Sequence, residues 1–413
     1  MSGERLESVR CIRIVGSKRS TYLFVQLSTS GGLQGLGEAT MSGDDTATAS
    51  LAQRYFSELL EGQGLEPFGA LVDRLVSAAG TGPSPCTATA ISALEQALWD
   101  IRGKQLGLPV HALLGGTRRC VIPLYANINR GLTDRTPEAF AKRAKDAVAY
   151  GFHTLKIAPF DGITPGCTTC AEGARLLNLG IGRIAAVREA IGPAVEFMVD
   201  CHGRFDFDEA CRVADLLGPY RLRWYEEPVA TRDDFQAYGQ SFFLTGTSAT
   251  EQCAASPDEM KKLKAHCPLP LAGGEFFFGA DEFDKLLDQG VLDFVMPDVK
   301  HCGGLASALR IATVADLHSV AIAPHNPSGP IGTIASVHLA SVLPRFDILE
   351  YQWGDVPWRT ELIVPAERIE KGCLRVPDLP GFGATLNEDL VREYQIALDA
   401  EFPVCAAAKA EAT

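Results

Sequence analysis

The chain has 413 residues, 46% hydrophobic and 22% charged, ordinary values for a globular protein able to bury a sizeable core. A formal net charge of −13 at pH 7 argues against nucleic-acid or anionic-membrane partners, which would be repelled, yet allows a small anionic substrate at a locally positive site. No run of about 18 apolar residues occurs, and the start MSGERLESVRCIRIVG lacks the order of a secretory signal, so no membrane span and a cytoplasmic location are expected.

In chain order, VRCIRIVG (9–16) and TYLFVQLST (21–29) are β-branched and aromatic runs around SKRS, a hairpin pattern. GGLQGLGEAT follows as a glycine-rich turn with a short third strand. CTATAISALEQALWDIRGKQLG (86–107) is a helix, with Ala90, Leu94, Ala97 and Leu98 recurring at three- and four-residue steps.

From about residue 121, eight short apolar runs alternate with helical stretches. They are VIPLYANI (121–128), HTLKIAPF (153–160), VEFMVDCH (195–202), RLRWYEEP (221–228), PLPLAGGE (268–275), LDFVMPDV (292–299), VAIAPHNP (320–327) and FDILEYQW (346–353). That alternation, close to the roughly 250 residues usual for the fold, predicts a (β/α) barrel, whose strands are buried on both faces. The turn-rich tail does not continue the repeat and is expected to pack back on the first segment. The predicted organisation is a capping domain over 1–118, a barrel over 119–355 and a returning segment over 356–413.

The twelve cysteines follow no disulfide framework and read as reduced thiols; Cys167 and Cys170 have C-x-x-C spacing but no second pair.

Active sites of such barrels lie at the C-terminal strand ends. Asp200, Glu226 and Glu275 end the third, fourth and fifth runs, so their carboxylates should converge. Convergent carboxylates repel unless a cation sits among them, and oxygen-only ligands suit Mg²⁺. Asp298 and His325 end the sixth and seventh runs, a pairing in which the carboxylate fixes the tautomer of a histidine base and stabilises its protonated form. His202, two residues after Asp200, should share the cavity and supply an acid. Lys156 is expected as a further acid/base or as a counter-ion. Glu350 is expected to meet an enolate oxygen if protonated, or else substrate hydroxyls. His111, His153, His266, His301, His318 and His338 read as structural.

VDCHGR, YEEPV, GGE, MPDVKHCGG and IAPHNPSGPIG together resemble the enolase superfamily, mandelate racemase branch, and most closely its galactonate dehydratase-type acid-sugar dehydratases. The resemblance extends over nearly the whole chain. It implies a (β/α)7β TIM-like barrel with an N-terminal α+β capping domain completed by the C-terminal segment. It also implies Mg²⁺ on Asp200, Glu226 and Glu275, an Asp298/His325 dyad, His202 as acid, Glu350 at the eighth strand, a sugar-acid substrate and a homo-oligomer (dimer or octamer). Cap loops over 16–20 and 38–45 would close on the substrate, with Lys18 and Arg19 near its distal end.

Two departures stand out. The chain is long between Glu226 and Glu275, where Glu251 is a rival third ligand, and it is lengthened after Lys156. Ala158 occupies the second position of the K-x-K found in racemases of the branch, which disfavours a two-base racemase. The expected activity is removal of the proton beside a carboxylate and elimination of the β-hydroxyl, giving a 2-keto-3-deoxy acid. Epimerisation or cycloisomerisation through the same first step is the alternative. A non-catalytic sugar-acid binder is disfavoured by the intact set of polar residues. A histidine-rich metallohydrolase is disfavoured by the carboxylate ligands.

Overall fold

The structure, a computed structural model, describes residues 4–17, 19–41, 43–230 and 255–400. Its first unit is a three-stranded antiparallel meander, β1 (Leu6–Ser17), β2 (Ser20–Thr29) and β3 (Gln34–Glu38). It is followed by α1 (Asp45–Tyr55), α2 (Phe68–Ser77), α3 (Pro85–Leu106) and the short α4 (Val110–Leu113). Ser84 caps α3 by accepting the Thr87 N–H, with Pro85 in the first turn, and Gly107 ends it at φ 65°. The helix lies so close to β3 that a Cβ on Gly37 would come within 1.9 Å of the Ala93 carbonyl oxygen. This explains the glycines of QGLG: Gly35 and Gly37 lie within β3 beneath the helix, where a side chain would strike its backbone.

Among the described residues, eight parallel strands then alternate with seven helices. These are β4 (Val121–Asn127), α5 (Pro137–Tyr150), β5 (Thr154–Ile157), α6 (Ala171–Ile191), β6 (Glu196–Asp200), α7 (Phe207–Leu217), β7 (Tyr225–Glu226) and α8 (Pro257–His266). The series continues with β8 (Leu271–Gly273), α9 (Gly279–Leu287), β9 (Phe294–Val295), α10 (Gly304–Leu317), β10 (Ala321–Ile322), α11 (Pro330–Val342) and β11 (Leu349–Gln352). β11 pairs with β4, and the Asp347 N–H reaches the Ile322 carbonyl at 2.8 Å, so the sheet closes on itself. The fold is a (β/α)7β barrel beneath an α+β cap.

The paired segments are shorter than the apolar runs, because the last residues of each run leave the ladder to line the mouth. Successive side chains along a strand face opposite ways, and this alternation sorts the barrel. Tyr125, Met198, Trp224, Met296, Ala323 and Ile348 pack together in its interior. Two residues further on stand Asn127, Asp200, Glu226, Asp298, His325 and Glu350, one layer higher and at the open end.

After the barrel come β12 (Ile363–Val364), β13 (Ile369–Glu370), β14 (Cys373–Arg375), β15 (Thr385–Leu386), α12 (Glu388–Tyr394) and β16 (Gln395–Ile396). β16 adds to the edge of β1, with Arg13 opposite Ile396, so the end of the chain completes the cap sheet. Buried carboxylates also fasten the cap to the barrel. Glu38 accepts the Gly329 and Gly332 N–H groups at 2.6 and 2.7 Å, at the start of α11. Glu95 accepts those of Leu305 and Ala306 at 2.7 and 2.8 Å, at the start of α10. Negative charge at a helix N-terminus answers its unpaired N–H groups and its dipole.

Candidate active site

At the barrel mouth Asp200, Glu226 and Glu275 each offer an oxygen within 4.8 Å of the others, and all three are buried. Burial and neighbouring carboxylates push Glu226 and Glu275 well above the usual carboxylate range; for Glu226 the neighbours are Asp200 and Glu350, for Glu275 they are Glu227 and Asp200. Burial acts on Asp200 too, but His202 and Lys156 outweigh it and hold this carboxyl well below that range. Trp224 Nε1 donates to Glu226 at 2.8 Å. Glu275 Oε2 lies 3.2 Å from His325 Nε2 but without a hydrogen bond among the described residues. A trio of buried, crowded carboxylates so placed fits a hard divalent cation. A second acidic cluster, Asp284 and Asp288 with His318, lies at the surface. Its His318 ion pair with Asp284, at 3.1 Å, accounts for it.

Lys156 is fully buried, with Nζ 2.5 Å from Glu226, 3.2 Å from Glu350 and 3.4 Å from Asp200. Burial alone would favour its neutral form, but Glu226, Glu350 and Asp200 hold its pKa well above the ordinary lysine value. The geometry is that of a counter-ion. Of the two sequence expectations for Lys156, acid/base and counter-ion, the surroundings favour the second.

The expected neighbours Asp298 and His325 meet, with His325 Nδ1 2.8 Å from Asp298 Oδ2. His325 Nε2 faces the carboxylates, 3.2 Å from Glu275 and 3.9 Å from Glu350. Asp298 favours the imidazolium, as expected, but it is not the largest influence on His325. Burial outweighs Glu350 and Asp298, so His325 titrates below the ordinary histidine value and stays neutral at pH 7. Asp298 itself is held far down, because Lys300, His301 and His325 outweigh its burial.

His202 also reaches the cluster, with Nε2 3.1 Å from Asp200 Oδ2, although not by strand alternation. β6 ends at Asp200; the chain then turns through φ 50° at His202, whose own N–H returns to Asp200 Oδ1 at 3.1 Å. A left-handed histidine and, nearby, Glu227 at φ 39° are the kind of backbone strain that gathers at functional sites.

Glu350 accepts from Asn127 Nδ2 at 2.7 Å and the Asn326 N–H at 3.0 Å. Burial would raise it, but Lys156, His325 and these donors hold it below the usual carboxylate range. It therefore stands as a carboxylate that accepts hydrogen bonds, and the protonated form entertained from sequence is not favoured.

Sequence reasoning missed two neighbours of the dyad. Lys300 Nζ donates to Asp298 Oδ2 at 2.8 Å. His301, read as structural, is buried 3.8 Å from Asp298 Oδ2, with Nδ1 2.7 Å from Thr89 of α3. Lys300 lies two residues after Asp298, the same step that relates His202 to Asp200, and that signal was available. The Thr89 contact comes from the cap and had no sequence signature.

Arg19 reaches from the cap hairpin to the Leu132 carbonyl at 2.8 Å, above the β4 end of the mouth. Lys18, Glu251 and residues 231–254, half of the long stretch between Glu226 and Glu275, lie outside the described residues. Cys167 and Cys170 are free thiols, and the Cys170 sulfur caps α6 by accepting the Gly173 N–H.

The architecture and the site together define a class of barrel protein with carboxylates and a histidine dyad at its mouth, and comparison with known proteins places it. Residues 10–115 match the mandelate racemase / muconate lactonizing enzyme N-terminal domain, and 139–241 with 246–390 match the enolase C-terminal domain-like family. The chain belongs to the enolase superfamily, in its mandelate racemase branch. It is 31% identical over 381 residues, 90% of each chain, to the D-galactonate dehydratase of Ralstonia nicotianae. It is 33% identical over 319 residues to the D-gluconate dehydratase of Thermoproteus tenax, covering 77% of this chain but spanning only 58% of that relative. A solved mandelate racemase/muconate lactonizing enzyme from a Jannaschia species superposes with a TM-score of 0.79 at 27% identity, over 95% of this chain and 98% of that one.

Proposed function

We propose that the protein is a Mg²⁺-dependent acid-sugar dehydratase that converts an aldonic acid to its 2-keto-3-deoxy product. The observation that carries the reading is the pair of imidazoles beside the carboxylate trio, His325 at Glu275 and His202 at Asp200. The relatives named for D-galactonate and D-gluconate supply the substrate class.

Asp298 accepts the Nδ1 proton of His325, which leaves the Nε2 lone pair toward the mouth. Neutral at pH 7, His325 takes the proton from the carbon beside the substrate carboxylate. A divalent cation held by Asp200, Glu226 and Glu275 would supply the positive charge that stabilises the electron-rich carboxylate formed in that step. Lys156 offsets part of the negative charge gathered there, and Glu350 accepts hydrogen bonds from the substrate. His202 gives its proton to the β-hydroxyl, the C–O bond breaks and water leaves. The remaining enol loses its O–H proton, takes one up on the β-carbon and becomes the keto acid.

The alternative in which Lys156 serves as acid/base for epimerisation is disfavoured by its three carboxylate contacts. Purified protein with Mg²⁺ and aldonic acids should yield 2-keto-3-deoxy acids. His202→Ala should abolish that product while α-proton exchange in D₂O persists. Exchange without keto product in the unaltered protein would replace dehydration by isomerisation.

A further inference from the structure

One residue of the mouth is left over by this mechanism. Gln352 ends β11, two residues after Glu350 and therefore on the same, inward face; the intervening Tyr351 faces outward against Phe152 and Arg359. Gln352 is fully buried, and neither its Oε1 nor its Nε2 has a hydrogen-bond partner among the described residues.

Its neighbour across the sheet, Asn127, is by contrast fully engaged. Asn127 donates to Glu350 and accepts both the N–H and the side-chain amide of Asn129, at 3.1 and 2.6 Å. Leaving both halves of a buried amide unpaired is costly, and an apolar residue of similar volume would avoid that cost. The loop just beyond is anchored to the cap, since Asp355 accepts from Ser20 Oγ at 2.8 Å and Tyr22 OH at 3.3 Å. The amide is therefore held beneath the cap hairpin by its surroundings while its own polar atoms stay unused.

We infer that Gln352 is a specificity-determining residue that reads a distal hydroxyl of the sugar-acid chain. Nε2 donates to the hydroxyl oxygen, and Oε1 accepts its proton. Two residues along a strand span roughly 6–7 Å, so Gln352 stands several substrate carbons away from the layer of Glu350, where the carboxyl end is handled. An acid lacking that hydroxyl would leave the amide unpaired, and sites built to bond a hydroxyl reject analogues that lack it. The inference rests on the acid-sugar reading above.

The test is a cycle of Gln352→Met against deoxy substrates, taking the aldonic acid that the unaltered protein turns over best and analogues lacking one distal hydroxyl at a time. Gln352→Met should lower kcat/KM on the full acid about 10- to 100-fold, and one deoxy analogue should lose no more in the variant than it has already lost in the unaltered protein. The variant should also melt higher, which a role in bridging neighbours through a buried water would not produce. Equal losses on every analogue, an unchanged kcat/KM, or a lower melting temperature would each overturn the assignment. If no aldonic acid is turned over by the unaltered protein, the functional reading fails and takes this inference with it.

Discussion

Two groups of buried acidic side chains in this molecule have the same chemistry and opposite surroundings. At the junction of cap and barrel, Glu38, Glu95 and Asp100 are each wrapped by donors. Asp100 alone accepts the Phe382 and Leu36 N–H groups at 2.7 and 2.9 Å and Lys104 Nζ at 2.7 Å. At the mouth, Asp200, Glu226 and Glu275 stand among other carboxylates, compensated by Lys156 and, at Asp200, by His202. Burial raises the cost of charge in both places; donors offset part of it in the first group, where burial still lifts Glu95 to about 7, whereas neighbouring carboxylates add to it at Glu226 and Glu275. Buried charge by itself therefore does not mark a site, whereas buried charge left short of donors does.

The largest expected effect strikes the mouth and spares the junction. His325→Asn should lower α-proton exchange of an aldonic acid in D₂O about 10²- to 10⁴-fold, the usual range for loss of a general base, with melting little changed. Exchange at the unaltered rate would remove His325 from the chemistry.

A second effect belongs to the satisfied side. His338 accepts the His111 N–H at Nδ1 and donates from Nε2 to the Phe382 carbonyl, so its neutral form is fully bonded. Burial lowers its pKa from 6.5 to about 4, against the opposing pull of the Phe382 carbonyl. Between those values the unfolded chain binds a proton that the folded one refuses, so stability is complete above pH 6.5 and is lost as pH falls toward 4. The loss amounts to about 3 kcal/mol. Denaturant unfolding at stepped pH should show this slope, and His338→Asn should flatten it.

The barrel was legible in sequence because strands buried on both faces must be written as short apolar runs, and a polar residue at the end of such a run has nowhere to go but the mouth. That placed Asp200, Glu226, Glu275, Asp298, His325 and Glu350 together before any coordinates. What could not be read was side-chain contact across the fold. Nothing in ISALEQALWDIRG tells that Glu95 and Asp100 are buried against α10 and the Phe382 N–H, since a helix face becomes interior only once its partner is known. Lys156 could have been a base or a counter-ion, and only its three carboxylate distances favour one of them. Gln352 lay in a recognised run, yet an unpaired amide is a property of its neighbours and leaves no mark in a single chain.

The most direct test of the contrast is one set of melting curves, with and without Mg²⁺, for the unaltered protein, Glu275→Gln and Asp100→Asn. Without the ion, Glu275→Gln should raise stability by relieving repulsion. Asp100→Asn should lower it by about 1–3 kcal/mol, because either orientation of the new amide turns an NH₂ group onto a donor. Added Mg²⁺ should stabilise the unaltered protein and Asp100→Asn alike, and should leave Glu275→Gln almost unmoved. A full Mg²⁺ shift in Glu275→Gln, or a loss of stability matching that of Asp100→Asn, would contradict the account.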